Sequence, residues 1–142
     1  LEEIRETFRL HGVRSTRQRE LVFGELASTK SHPTAEELYE SVRTLDGGIS
    51  LATVYNTLET LQESGLCRRL PSEAGPARYD ADMSEHVHMT TSNGTVLDLP
   101  EDLSQQLLAA IPECVLSELK ARTGMSLRGL SLHVAPDPVQ AP

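Results

Sequence analysis

Glycines and hydroxyl caps cut the first 65 residues into four short helical periods, and this punctuation restricts the possible folds more than any other feature of the chain. Leu1, Ile4, Phe8 and Leu10 share one stripe that Gly12 ends, which predicts an amphipathic first helix. Ser15 and Thr16 offer cap hydroxyls, and Gln18 stands three after Ser15 as in a capping box. Leu21, Val22 and Leu26 then form the apolar face of a second helix running to about Ser28. Thr34 with Glu37 marks a third, with Leu38, Val42 and Leu45 as its stripe and Asp46-Gly47-Gly48 as its stop. Ser50 caps a fourth, Leu51 to Ser64, which turns Leu51, Val54, Leu58 and Leu61 inward and ends at Gly65. Beyond it, Leu66-Cys67-Arg68-Arg69-Leu70 and Ala77-Arg78-Tyr79-Asp80 read as two strands around a turn over residues 71–76.

Helices followed by a basic hairpin describe a winged helix within an α+β chain, with the fourth helix as the element that enters the major groove. Its outer face carries Thr53, Tyr55, Asn56, Thr57 and Thr60, polar but uncharged, where a merely solvated face more often carries Lys and Glu. Amide, phenol and hydroxyl groups match base edges. Arg14, Arg17 and Arg19 form the densest basic cluster, and Arg68, Arg69 and Arg78 flank the wing; both groups suit phosphates, although the first also reads as a solvated helix entrance. A net charge of −8 over 142 residues excludes non-specific nucleic-acid binding by bulk charge, so contact with DNA must rest on a local patch or on acids neutralised by metal.

The acids and histidines supply such a metal site. His86 and His88 stand two apart, so in an extended strand both imidazoles leave one face while Val87 and Met89 take the other. Asp80 can fold back to the same point, and Asp98 can return on the far arm of a hairpin turning at Ser92-Asn93-Gly94. The bland alternative is a pair of solvated histidines beside ordinary acids. His32, in the loop before the third helix, is free to reach elsewhere. Cys67 and Cys114 are in no C-x-x-C spacing and indicate neither a disulfide framework nor a zinc knuckle. No apolar run approaches the roughly 20 residues of a membrane span and no signal-peptide block opens the chain, so a cytoplasmic protein without membrane association is expected. Further on, residues 88–91 and 95–99 read as strands, and Pro100-Glu101-Asp102 starts a helix bearing Leu103, Leu107, Leu108 and Ile111. Pro112 restarts that helix through Leu116 and Leu119, and Leu127, Leu130, Leu132 and Val134 make a last strand before a loose tail over 136–142. So small a sheet and helix layer leaves apolar surface for a second copy to bury.

Taken in order, Gly12-Val13-Arg14 with Thr16 and Gln18-Arg19, His32-Pro33-Thr34-Ala35-Glu36, Ala52-Thr53-Val54-Tyr55 with Leu58, Glu63-Ser64-Gly65-Leu66, and Arg78-Tyr79-Asp80 with Ser84-Glu85-His86-Val87-His88 resemble the ferric uptake regulator (Fur) family of transcription factors. The resemblance covers nearly the whole chain. It implies a winged-helix DNA-binding domain over 1–80, a hinge over 81–85 and an α/β dimerisation domain over 86–135. It also implies a metal-responsive homodimeric repressor of double-stranded operator DNA, with DNA contacts expected at Arg14, Arg17, Arg19, Thr53, Tyr55, Asn56 and Arg69. Carried over by residue, the regulatory metal site falls on His32, Asp80, His86, His88 and Asp98, the last requiring a one-residue deletion in the hairpin. An ion there would link the two domains through His32 and fix the angle between them.

Two departures from the family pattern follow. Thr91, Ser92, Asn93 and Gly94 stand where a first cysteine pair is usual, so the structural four-cysteine zinc is expected to be absent; Glu85, Val87 and Leu130 likewise replace auxiliary metal ligands. One divalent metal per subunit is therefore expected. Three imidazoles and two carboxylates suit Fe(II) or Mn(II), with Zn(II) able to bind in vitro. Asp, where iron-sensing members commonly carry Glu, resembles the peroxide-sensing branch, in which Fe(II) and hydrogen peroxide oxidise a ligand histidine. The expectation is a metal-dependent, peroxide-responsive repressor and not an enzyme, with no small-molecule substrate. Three alternatives stand beside it: an iron or manganese uptake regulator without oxidation chemistry, a metal-dependent enzyme, for which five protein ligands leave little room for substrate, and a winged helix kept only for protein interaction.

Overall fold

The computed structural model describes residues 2–70, 75–91, 93–125 and 132–135, without the side chain of His133. The chain divides into two compact units, Leu1–Met83 and Ser84–Pro142.

In the first unit α1 (Glu2–Leu10), α2 (Arg17–Ser28), α3 (Ala35–Leu45) and α4 (Leu51–Glu63) precede the antiparallel strands β1 (Arg68–Leu70) and β2 (Arg78–Asp80). Three of the helices start on a side-chain acceptor for an otherwise orphaned amide: Thr16 takes Arg19 N–H, Ser50 takes Thr53 N–H, and Thr34 and Glu37 form a complete capping box. The helices enclose one core in which Phe8, Val22, Leu26, Val42, Val54, Leu58 and Leu61 are buried, each worth about 1.5–3 kcal/mol of transfer free energy. Helix α1 is held to α2 by the Phe8 and Phe23 rings, 5.4 Å apart, and by Arg5 Nε donating to Glu20 Oε1 at 3.0 Å. The Arg5 bond, helped by the Ser15 hydroxyl, keeps the Glu20 carboxyl below the usual carboxylate range. Phe8→Ala is expected to cost about 3–5 kcal/mol by the cavity it leaves. Chemical denaturation checks this, and a loss under about 1 kcal/mol would show that α1 is not part of the cooperative core.

Several details depart from the sequence expectation. Thr16 alone caps α2, because the Ser15 hydroxyl donates to Glu20 and the Ser15–Gln18 box does not form. Leu10 and Leu45 are exposed, each being the last residue of its helix, where the stripe has passed the edge of the core. Thr57 is buried, since it lies three after Val54 and four before Leu61 and so shares their inward face. Residues 71–74 of the wing turn lie outside the described residues.

The second unit pairs β3 (His88–Thr90) antiparallel with β4 (Val96–Asp98) and parallel with β5 (His133–Val134), and carries α5 (Glu101–Ala109) and α6 (Glu113–Thr123). The β3–β4 turn closes on backbone and amide groups: Thr91 N–H donates to Thr95 O at 2.8 Å, Gly94 N–H to Thr91 O at 2.9 Å, and Thr95 N–H to Asn93 Oδ1 at 3.1 Å. Gly94 has φ +81°, which its missing Cβ permits without strain. Pro100 and Pro112 precede the two helices, as their sequence positions predict. Leu103, Leu107, Val115 and Leu119 on α5 and α6 remain exposed. Leu127 and Leu130 of the expected last strand, Ser92 of the turn and the tail over 136–142 lie outside the described residues, among which no helix is long and apolar enough to cross a membrane.

Candidate metal centre and DNA-facing surface

In the first unit His32 and Asp80 meet, with Nδ1 of the ring 3.7 Å from Oδ1 of the carboxylate and both side chains almost fully buried. The backbone makes this possible at a cost. His32 has φ +48°, the one positive value at a non-glycine among the described residues, and Pro33 after it disfavours right-handed helical geometry. Strand β2 holds the turn in place: Tyr79 N–H donates to Pro33 O at 3.0 Å, and Arg78 Nη1 to His32 O at 3.0 Å and to Glu37 Oε2 at 3.1 Å. Asp80 therefore faces His32 because the strand carrying it also pairs with the loop carrying His32.

In the second unit His86, His88 and Asp98 converge. His88 and Asp98 are register partners across β3 and β4, with Nε2 3.6 Å from Oδ1. His86 precedes the strand by two residues yet still brings its Nε2 to 3.2 Å from the same oxygen, its ring centroid 4.4 Å from that of His88. Both rings reach the same Asp98 oxygen, so the alternation expected from extended backbone holds although regular pairing starts only at His88. The His86 Nδ1 lies 2.9 Å from Ser84 O; with the proton there, Nε2 presents its lone pair. Val87 is fixed at both ends, its N–H donating to Ser104 Oγ at 2.7 Å and its carbonyl accepting from Leu99 N–H at 2.8 Å. Ser104 was not legible as a site residue, because no pattern marks a helix serine as the partner of an amide 17 positions earlier.

The donor chemistry fits a divalent ion. Two atoms each about 2.1 Å from one ion stand about 3.0–3.4 Å apart in octahedral or tetrahedral geometry, and the observed 3.2, 3.6 and 3.7 Å lie close to that. Imidazole nitrogen with carboxylate oxygen is a set for Fe, Mn or Zn, and the two cysteines take no part: Cys67 is buried against Leu58 O and Cys114 lies exposed on α6.

The residues expected to meet DNA lie on the surface of the first unit. Arg14, Arg17 and Arg69 are exposed, and Arg19, partly covered, donates Nη1 to Arg14 O at 3.1 Å, tying the basic cluster together. On α4, Asn56 and Tyr55 are exposed, Thr53 is half-buried beside the Ser50 hydroxyl, and the helix has no basic residue. Tyr55 Oη donates to Glu36 Oε1 at 2.7 Å; that bond pushes the phenol above its ordinary value and holds the Glu36 carboxyl below its own, so the phenol stays protonated. Arg78 does not stand with Arg69 on the wing. Its side chain is only 17% exposed and is turned to His32 and Glu37, because Leu70, its register partner, sits on the covered side of the hairpin.

The sequence matches the ferric uptake regulator family over residues 10–120. A peroxide operon regulator of Bacillus subtilis (strain 168) is 36% identical over 99 residues, which take in 69% of this chain and 68% of that protein, about two thirds of its length. Among solved structures, the Campylobacter jejuni peroxide stress regulator superposes with a TM-score of 0.67 at 26% identity, covering 96% of this chain and 93% of its own. A zinc-bound manganese uptake regulator superposes at 0.65 with 26% identity, covering 94% and 98%. With a winged first unit, a strand-and-helix second unit and a sulfur-free histidine and aspartate donor set, the chain belongs to the ferric uptake regulator family.

Proposed function

We propose that the protein is a cytoplasmic, metal-dependent transcriptional repressor that binds double-stranded operator DNA as a homodimer and releases it in response to hydrogen peroxide; it is a regulator, not an enzyme. The observation that carries this reading is the convergence of His86, His88 and Asp98 in one unit and of His32 with Asp80 in the other, all without sulfur. Neither set is complete alone, since two or three donors fall short of the four to six that a divalent ion takes. One Fe(II) or Mn(II) per subunit, held by all five, satisfies both sets and couples metal occupancy to the arrangement of the two units. The exposed Leu103, Leu107, Val115 and Leu119 supply a surface that a second copy would bury.

Within this reading the protein's own groups have distinct tasks. Asp80 and Asp98 neutralise the cation and orient the rings, and the Ser84 carbonyl holds the His86 tautomer that leaves Nε2 available. Fe(II), when bound, supplies one-electron reduction of hydrogen peroxide beside a ligand ring. Overall one peroxide transfers an oxygen atom to an imidazole carbon and leaves as water. A manganese uptake regulator is the second reading, favoured by the likeness to a solved protein of that kind.

On DNA, Tyr55 and Asn56 would read bases while Arg14, Arg17, Arg19 and Arg69 meet phosphates. Asn56→Ala is expected to relax sequence preference by about 1–3 kcal/mol at one base step, and Arg19→Ala to weaken all sequences alike and lower the salt slope by about one. Both are read by binding titrations with Mn(II) on duplexes selected from a random pool by the unmodified protein. Unchanged binding in both variants would remove α4 and the entrance of α2 from the interface.

A further inference from the structure

We infer that Arg78 is a positioning residue for His32 and makes no contact with operator phosphates. The inference rests on the reading of His32 as a metal ligand. Left-handed φ at a residue before proline persists only where the surroundings over-determine it, and at His32 one of the holding contacts comes from Arg78. Arg78 Nη1 reaches the His32 carbonyl at 3.0 Å and Glu37 Oε2 at 3.1 Å, and its backbone bridges Thr34. Glu37 Oε2 also accepts Thr34 N–H at 2.9 Å, so the carboxylate that completes the α3 cap anchors the guanidinium.

The guanidinium thereby joins the start of α3, the carbonyl of the ligand residue and the strand that carries Asp80 into one piece. Without it, the His32–Pro33 peptide loses the charge-assisted bond that fixes its plane, and the ring is free to leave Asp80. The side chain is mostly covered and its Nη1 is committed to His32 O and Glu37 Oε2, which sets Arg78 apart from Arg69, one strand away and exposed.

The two roles differ in what they do to salt dependence. A phosphate contact sets the slope of DNA affinity against salt whatever the metal concentration, whereas a positioning residue sets how much metal is needed. Arg78→Gln and Arg78→Lys, with His32→Ala in parallel, are titrated with Mn(II) against a fluorescent chelator. Their DNA binding is then measured at saturating Mn(II) across a salt series on the selected duplex, and apo thermal unfolding checks the fold. Arg78→Gln is expected to weaken Mn(II) binding about 10–100-fold and to keep the salt slope of the unmodified protein once metal is saturating. Arg78→Lys, which keeps the charge but not the planar fork, is expected to lose metal affinity as well, by about tenfold. A slope lowered by about one in Arg78→Gln and retained in Arg78→Lys, with metal affinity unchanged in both, would restore the phosphate contact and overturn the inference. If His32→Ala weakens Mn(II) binding and neither Arg78 variant does, the positioning role alone fails. If His32→Ala leaves affinity unchanged, the ligand assignment fails and the inference with it.

Discussion

His88→Ala is expected to abolish metal-stimulated DNA binding, with Mn(II) affinity falling at least about 100-fold while the protein remains a folded dimer. His88 is buried on β3 and stands opposite Asp98 in register. Because His88 is buried, His86→Ala serves as the companion variant: its side chain is 13% exposed against 1% for His88, so its loss leaves a smaller buried gap. Chelator competition measures affinity, sedimentation measures assembly, and duplex titration with and without Mn(II) measures the switch. The dimer is expected to survive in both variants, because the hairpin between β3 and β4 is closed by its own turn hydrogen bonds. An apo protein that binds its selected duplex as tightly as the metal-loaded form would refute metal control, whatever the site binds.

The Fe(II)-loaded protein, given one equivalent of hydrogen peroxide, is expected to gain a single oxygen atom on His32 or His86 and to lose its grip on DNA by two orders of magnitude or so, as expected when a ligand to the ion is destroyed. The Mn(II)-loaded protein is expected to do neither, since Mn(II) does not readily give up the electron that the reaction requires. Thiol oxidation is the competing route to release, and the structure weighs against half of it. Burial pushes the Cys67 thiol up to about 12, with the Asp80 carboxylate adding to the shift, so almost no thiolate exists at neutral pH to meet peroxide. Cys114 is exposed and needs the direct control. A Cys67→Ala, Cys114→Ser variant is expected to remain as sensitive as the parent. Peptide mass analysis that places oxygen only on Cys or Met, or an Fe(II) protein that keeps its DNA, would exclude peroxide sensing and leave the uptake-regulator reading in its place.

Much of the fold was legible because its signals are local. A hydroxyl at a helix start, a glycine after its end and an apolar period between act within one or two turns, and Thr34, Ser50, Gly12 and Gly65 stand where they were expected to stand. The same locality explains the misses. Ser15 and Thr16 both offer a hydroxyl for one cap, and the choice was made by Glu20, whose buried carboxylate takes Ser15 and Arg5 together. Leu10 and Leu45 carry their helix stripes past the edge of the core, and where that edge falls is not contained in the periodicity of one helix, whereas the period of α4 itself places Thr57 with Val54 and Leu61.

For the site the division is sharper. The sequence by itself determined which donors are on offer: two histidines of one parity, an acid six residues before the first of them and another across a tight turn, with no thiol in metal-binding spacing, because side-chain type and strand alternation are properties of the chain alone. Only the tertiary structure decided that Arg78 faces inward while Arg69 stays outside. It alone showed that Ser104 on α5 fixes the segment between His86 and His88, and that His32 holds a left-handed backbone secured by β2. These depend on hydrogen bonds between residues 17 to 46 positions apart, and such partners are chosen by packing, which follows from the whole chain and not from any stretch of it.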